Sequence, residues 1–199
     1  RRSCAPTRSG SQRRACGPKG IGALYVRRGA TICPFVHGGR QERGLRAGTE
    51  NTAGIAGFGE AVRVLEEKGR KERSRIERLA EALKQGVEER IPGAKFNGHP
   101  QNRVKGTVNF AFPGLEAEAI LLALATKEIY VSTGSACSEE SEEVSHVLRA
   151  IGLRPEIARS AIRMSLGRSN TEEDIAVVLR ELPEIITKLR SISAFHPEG

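Results

Sequence analysis

The sequence of 199 residues contains no tryptophan, and aromatic residues make up only 4% of it. A folded core must therefore consist mainly of Leu, Ile, Val and Ala. Long hydrophobic runs are also missing, since the longest, residues 119–125, falls far short of the ~20 residues that a membrane-spanning helix needs. No apolar segment typical of a signal peptide opens the sequence. We therefore expect a soluble cytoplasmic protein with no membrane association.

Cysteine is scarce and scattered. The four cysteines are Cys4, Cys16, Cys33 and Cys137. They form no C-x-x-C pair and no Cys/His cluster with the spacing of a zinc site, which argues against a structural metal. The chain is also too long and too poor in cysteine for a disulfide scaffold. Reduced thiols are the expected state.

Acidic residues are almost absent from the first 46 positions, which carry eleven Arg and Lys residues but only one acid, Glu42. This segment accounts for the formal net charge of +8, because the remainder is close to balanced. A basic arm can bind a phosphate backbone. However, the sequence has neither basic residues interleaved with aromatics nor zinc-finger spacing. A nucleic-acid-binding module is therefore the least favoured interpretation.

The hydrophobic pattern alternates between strand and helix and predicts an α/β fold. Residues 1–16 show neither period and are expected to form either a disordered arm or the broken edge of something larger. We predict a remnant of a larger domain over residues 1–69 and a complete small α/β domain over residues 70–199. Expected strands lie at 21–26 (buried), 107–112, 130–131 and 161–166. Expected helical segments lie at 52–67, 70–89, 116–125, 142–151 and from a capping-box pattern at 171–174 to about 190.

Cys137 lies in the loop STGSACS at 132–138, where its neighbours are small and polar. Such a loop exposes a thiol, as a nucleophile or sulfur carrier requires. The thiolate is the reactive form, and the adjacent Glu139 and Glu140 disfavour it, so activation must come from elsewhere. An incidental surface thiol is the alternative. Cys33, by contrast, lies in the apolar segment ICPF and is expected to be less reactive.

Two further segments offer groups that bind anions. Arg163 interrupts the apolar strand at 161–166, where a buried guanidinium requires a carboxylate partner. Its planar fork suits the carboxylate of a substrate, and a salt bridge to a glutamate is the equally favoured alternative. The loop at 37–51 combines glycines, arginines and Thr49, which could surround an anion, although a plain solvated loop is more common.

Five segments taken together resemble the class V cysteine desulfurases of the NifS/IscS type. They occur in the expected order within residues 17–190, a range that is nearly the whole of the ordered chain. The segments are GPKGIGALYVRRG at 17–29, HGGRQERGLRAGTEN at 37–51, STGSACS at 132–138, SHVLRAIGL at 145–153 and SAIRMSLGR at 160–168.

This resemblance implies the C-terminal portion of a fold-type I transferase that depends on pyridoxal phosphate. Family members remove sulfur from L-cysteine, giving L-alanine and an enzyme persulfide for iron–sulfur cluster assembly or another sulfur acceptor. The resemblance makes Cys137 the persulfide carrier and Arg163 the residue that holds the substrate carboxylate. It places Thr49 at the cofactor phosphate of the partner in a homodimer. It also implies that Cys137 can help to hold a transient [2Fe-2S] cluster with a scaffold protein.

The cofactor-anchoring motif of the family departs from its pattern here. The family has Ser-x-His-Lys just before the Gly-Pro-Lys-Gly turn, and its lysine forms the internal aldimine. Ser11 fits as a cofactor contact, but Arg13 and Arg14 stand in the His and Lys positions. A guanidinium stays protonated and cannot form a Schiff base. We therefore expect a chain of this family that is inactive alone. The alternative is a non-catalytic persulfide carrier or assembly partner with the same fold.

Overall fold

The computed structural model describes the backbone of residues 8–11 and all of residues 17–133 and 145–193. The chain divides into two compact units, the first ending at Arg70 and the second beginning at Lys71. No helix of the described chain is long and apolar enough to cross a membrane.

The first unit contains a two-stranded antiparallel sheet. Strand β1 (Arg8–Ser11) pairs with β2 (Gly22–Tyr25). The disordered-arm alternative for residues 1–16 is therefore wrong for β1. The pairing uses backbone hydrogen bonds, which leave no signature in side-chain periodicity. The expected burial of β2 is also wrong, because all four of its residues are exposed and the described chain places no other strand beside it.

Hydrophobic side chains of the first unit remain largely exposed. Tyr25 is 62% and Phe35 94% exposed, and Ala47 is the one buried hydrophobic residue among the described positions up to Arg70. A unit with so little buried apolar surface gains little stability from its own core.

Helix α1 (Thr52–Arg90) is continuous over 39 residues. The interruption expected between Glu67 and Arg70 is absent. Gly69 costs only ~1 kcal/mol relative to Ala in a helix, and a single glycine without a following proline does not end one. The side chain of Asn51 caps the helix start, since its Oδ1 accepts a hydrogen bond of 2.9 Å from the Gly54 N–H.

The second unit is built on a four-stranded antiparallel sheet in the order β3-β4-β6-β5. The strands are β3 (Lys95–Phe96), β4 (Thr107–Ala111), β5 (Ser132–Thr133) and β6 (Ala161–Ser165). Helices α2 (Ala117–Ala125), α3 (His146–Ala150), α4 (Pro155–Ala158) and α5 (Glu172–Ile192) accompany them. β4 and β6 match the predicted strands to within one residue at their ends.

One face of this sheet forms the main core with the C-terminal half of α1 and with α2 and α5. Alternate residues of β4 and β6 point into it. The largest fully buried members are Phe110, Phe112, Leu83, Ile120, Leu124, Ile162, Leu182 and Ile186. This core contains most of the buried hydrophobic residues of the described chain.

Several elements of the structure have bounds that differ from the predicted ones. The strand expected at 130–131 is wrong, because these two residues form no strand. Ser132 and Thr133, which were expected in the loop that follows, pair with β6 instead. Helix α3 begins at His146 rather than Glu142, and residues 142–144 lie outside the described residues. The capping box is confirmed: the Thr171 hydroxyl accepts a hydrogen bond from the Asp174 N–H at 3.3 Å, and the Asp174 carboxylate accepts one from the Thr171 N–H at 3.1 Å.

Candidate functional site

A polar row crosses the sheet on the face opposite the main core. It contains one side chain from each strand or its immediate end, in the order Asn97, Asn109, Arg163 and Ser132. Asn109 and Ser132 are the register partners of Arg163 on its two sides, and Asn97 N–H donates to Asn109 O at 2.9 Å just beyond β3. Directly opposed residues of antiparallel strands have their side chains on one face, with Cβ atoms about 5 Å apart.

The two ends of this face differ in their covering. At one end, Ala111 and Ala161 are buried against Leu148 of α3 and Ala158 of α4. At the other end, Thr107 lies opposite Ser165, which is exposed. The polar row therefore lies next to the part of this face that α3 and α4 cover.

Arg163 is exposed to solvent rather than buried. Its Nη2 donates to Ser132 Oγ at 3.3 Å, and no carboxylate of the described residues lies within ion-pair distance of it. The expected cost of burying a charge in an apolar strand therefore does not arise, because Arg163 is on the open face while Ile162 and Met164 point into the core. The salt-bridge alternative finds no support among the described residues.

Ser132 and Thr133 begin the segment that leads to Cys137. Thr133 is buried opposite Ile162, so the sheet fixes the position at which this segment starts. Cys137 itself lies outside the described residues, as do Cys4 and Cys16. The structure thus fixes the position of β5, from which the Cys137 segment starts, on the strand next to Arg163.

Thr49 is exposed in a loop of the first unit, between Gly48 and the capped start of α1. Gln41 braces this loop, since its Oε1 accepts a hydrogen bond from the Gly48 N–H at 3.2 Å. Gly48 has φ +106°, a left-handed conformation that favours glycine. Thr49 and Arg163 thus belong to different units.

The residues present do not complete a pyridoxal phosphate site. Ser11 ends β1, with its side chain outside the described residues, and Arg14 also lies outside them. An arginine cannot supply the amine that the cofactor's aldehyde requires, whatever its position. The exposed Thr49 hydroxyl could contact a phosphate, but no step can be assigned to the cofactor with this set of donors.

Cys33 is exposed, although its neighbours in the sequence are apolar. Phe35, two residues later, is likewise exposed, because the described part of the first unit forms almost no core there. Within the described residues, no group of three or more His, Cys, Asp or Glu side chains could hold a metal ion. The predicted cluster ligand, Cys137, is not among them.

Asn97 and Asn109 did not figure among the predicted site residues. The alternation in TVNFA at 107–111 already placed Asn109 on the face away from the core, in line with Thr107. Its position beside Arg163 depends on strand pairing between distant parts of the chain, which the sequence pattern does not reveal.

Comparison with known proteins gives consistent matches over most of the chain. A family model described as aminotransferase class-V matches residues 8–178. A cysteine desulfurase IscS from Clostridium botulinum is 49% identical over 179 residues, which are 89% of this chain and 45% of that protein. A solved NifS-like protein superposes with a TM-score of 0.81 at 35% identity, covering 92% of this chain and 47% of that one.

A second solved structure, SspA in complex with cysteine, is 32% identical with a TM-score of 0.56. The match covers 83% of this chain and 45% of SspA. This chain therefore spans just under half the length of the relatives and structures that it matches.

Proposed function

Because the chain belongs to the class-V aminotransferase family, we propose that it is the C-terminal portion of a cysteine desulfurase and that Cys137 accepts sulfur as a persulfide. The family match confirms the predicted resemblance and the α/β fold class. In this proposal residues 1–69 are a remnant of the large cofactor domain, and residues 70–199 are the small domain that carries the cysteine loop. The proposal includes a cytoplasmic location.

The observation that supports this role best is the contact between Arg163 and Ser132. The exposed guanidinium lies beside the strand from which the Cys137 segment starts, five residues before the cysteine. A nearby cation favours the thiolate over the thiol. In this proposal Arg163 is the cation that favours the Cys137 thiolate, which Glu139 and Glu140 disfavour.

Sulfur acceptance requires only the thiolate and a sulfur donor. The Cys137 thiolate attacks the outer sulfur of a donor persulfide, a new S–S bond forms, and the donor leaves as a thiolate. The products are a Cys137 persulfide and a free donor thiol, with no net oxidation. This exchange needs no residue of the cofactor pocket.

L-cysteine is the proposed substrate of the whole enzyme, and Arg163 is its carboxylate ligand. The relative SspA was solved with cysteine bound, which supports this substrate class. In the complete site Thr49 would contact the cofactor phosphate of a homodimeric partner, and Ser11 would contact the cofactor. Cys137 would then pass sulfur to an iron–sulfur scaffold or other acceptor, with transient ligation of a [2Fe-2S] cluster.

A non-catalytic persulfide carrier is the second candidate, and Arg14 at the aldimine position favours it. The two candidates differ in whether the purified chain binds pyridoxal phosphate. The enzyme would be favoured if the visible absorbance of bound cofactor appeared. This absorbance should disappear on dialysis against an amine that competes for the cofactor's aldehyde. Persulfide acceptance without cofactor absorbance would favour the carrier.

Peptide mass spectrometry tests the sulfur acceptor directly. After treatment with a small persulfide donor, we expect one added sulfur atom mainly on the peptide that contains Cys137. Cys33 is a stringent internal control because its side chain is exposed. Equal or greater labelling of Cys33 would contradict the proposal, and Cys137→Ser should abolish transfer to an acceptor while leaving Cys33 labelling unchanged.

A further inference from the structure

The face that carries Arg163 is rich in hydrogen-bond donors beyond the guanidinium. Directly beside Arg163 the strands place Asn109 and Ser132, neither of which is an acid. Thr107 and Ser165 lie further along β4 and β6. Of the Arg163 nitrogens, Nη2 binds Ser132 Oγ, while the described structure gives Nε and Nη1 no protein acceptor. An anion placed on this face would meet donors and no opposing charge from the strands.

The orientation of the Asn109 amide is fixed by Asn97. Asn97 Nδ2 donates to Asn109 Oδ1 at 2.7 Å, so the oxygen of Asn109 is directed towards β3. The two polar atoms of an amide diverge from one carbon, so Nδ2 is turned away from Asn97. Asn97 is only 9% exposed, which holds the donor of this pair in place.

No residue of the described chain accepts a hydrogen bond from the Asn109 Nδ2 group. Among the described residues, Arg103 Nε is the only buried side-chain nitrogen or oxygen without a hydrogen-bond partner. Asn109 Nδ2 is therefore not a buried atom. Nδ2 therefore reaches solvent, on the residue directly opposite Arg163 in the β4–β6 pair.

We propose that Asn109 is a second ligand of the carboxylate bound by Arg163, and that Asn97 is the positioning residue that turns the Asn109 amide nitrogen outward. This inference rests on the proposed role of Arg163. One carboxylate oxygen accepts from the guanidinium, and the other accepts from Asn109 Nδ2. The pair selects a planar carboxylate over a single-point anion such as chloride, because two donors on neighbouring strands match two oxygens.

The test is a titration of the full chain, labelled with nitrogen-15, with L-alanine, followed by NMR signals of the Asn109 side-chain amide and the Arg163 Nε–H. Both signals should shift with one common affinity. Asn109→Leu should weaken binding about tenfold, as expected for loss of one hydrogen bond to a charged group. Ser165→Ala, on the same face but further along β6, should bind as the unmodified chain does.

Substitution of Asn97 separates positioning from structural support. Asn97→Asp has no donor for Asn109 Oδ1, so the Asn109 amide should rotate, donate to the introduced carboxylate and direct its oxygen at the ligand. Asn97→Leu removes the constraint without reversing it. We expect affinity in the order unmodified, Asn97→Leu, Asn97→Asp, with the amide signals of Asn109 moved most by Asn97→Asp. Equal affinity of both variants and the unmodified chain would overturn the positioning role.

The control variants tell the two proposals apart. Retained alanine binding by Arg163→Ala would refute the proposed role of Arg163 and, with it, the two-ligand site. Loss of binding in Arg163→Ala together with unmodified binding in Asn109→Leu would refute the new inference alone. Arg154→Ala, which alters the residue before α4, should leave binding unchanged. No shift of either signal at saturating L-alanine would overturn both proposals.

Discussion

Gly86 of α1 lies directly against Leu179 of α5. A methyl group added to Gly86 would lie 2.4 Å from Leu179 Cδ1 and 2.7 Å from its Cδ2. Only glycine therefore permits the approach of these two helices without a shift of a packed leucine. The same helix contains Gly69, where an added methyl group would meet no atom within 4 Å.

Gly86→Ala should therefore lower the free energy of unfolding, even though alanine is the better helix former. Overpacking costs typically about 1–3 kcal/mol, against a gain of about 1 kcal/mol from helix propensity. Gly69→Ala is the matched control and should stabilise the protein by up to about 1 kcal/mol. Urea unfolding followed by circular dichroism measures both, and stabilisation by Gly86→Ala as large as that by Gly69→Ala would contradict the packing.

Thr171→Ala should destabilise α5 by about 1 kcal/mol, the usual effect of losing a capping side chain. The reason is that the Thr171 hydroxyl and the Asp174 carboxylate satisfy two backbone N–H groups at the helix start. Thr171→Ser keeps the hydroxyl and should retain most of the stability. If serine and alanine were equally destabilising in urea titrations, the hydroxyl would not be the stabilising group.

Glu181 should make stability depend on pH in the acidic range. Hydrogen bonds from Arg180 and then Lys127 lower the pKa of its carboxyl group below the ordinary value. A lowered pKa stabilises the folded chain above the ordinary carboxyl pKa of about 4.3, and this contribution is lost as the pH falls through the lowered value.

Glu181→Gln should therefore lower the urea midpoint at pH 7, and the difference from the unmodified chain should shrink in acid. Glu184→Gln, which changes another carboxyl on the same helix, is the control and should have a smaller effect at neutral pH. A difference that persisted unchanged into strong acid would show that the carboxylate charge is not responsible.

The purified chain should not form alanine from L-cysteine, with or without added pyridoxal phosphate. Arg14 cannot supply the amine of the usual lysine. Arg14→Lys alone should not restore turnover, because the chain matches only 45% of the length of a related cysteine desulfurase. Chromatographic detection of alanine is the measurement, and alanine formation above a heat-treated control would refute the expected inactivity.

Local signals in the sequence predicted the second unit well. The Thr171–Asp174 capping box needs only four neighbouring residues. In β4 and β6, buried residues such as Phe110 and Ile162 are followed or preceded by the polar residues Asn109 and Arg163. Arg163 was identifiable because a charged residue stands within an apolar strand. Its exposure was not, since the strand period alone does not say which face is covered.

Features that depend on distant pairing were missed. β1 is defined by backbone bonds to β2, and β3 is only two residues long. Asn109 gains its place beside Arg163 only when β4 and β6 pair. The continuity of α1 through Gly69 shows a different kind of error, because a weak local signal wrongly predicted the end of a helix.

The order of strands in the four-stranded sheet has a consequence for folding during synthesis. β4 ends at Ala111, but β6, which lies between β4 and β5, begins only at Ala161. Until the ribosome has released β6, one edge of β4 has unpaired N–H and C=O groups, and its apolar face lacks neighbours on that side. Such an edge can pair with another nascent chain. The chain is thus most prone to aggregate before β6 emerges from the ribosome. Slow translation between β4 and β6 would lengthen that interval.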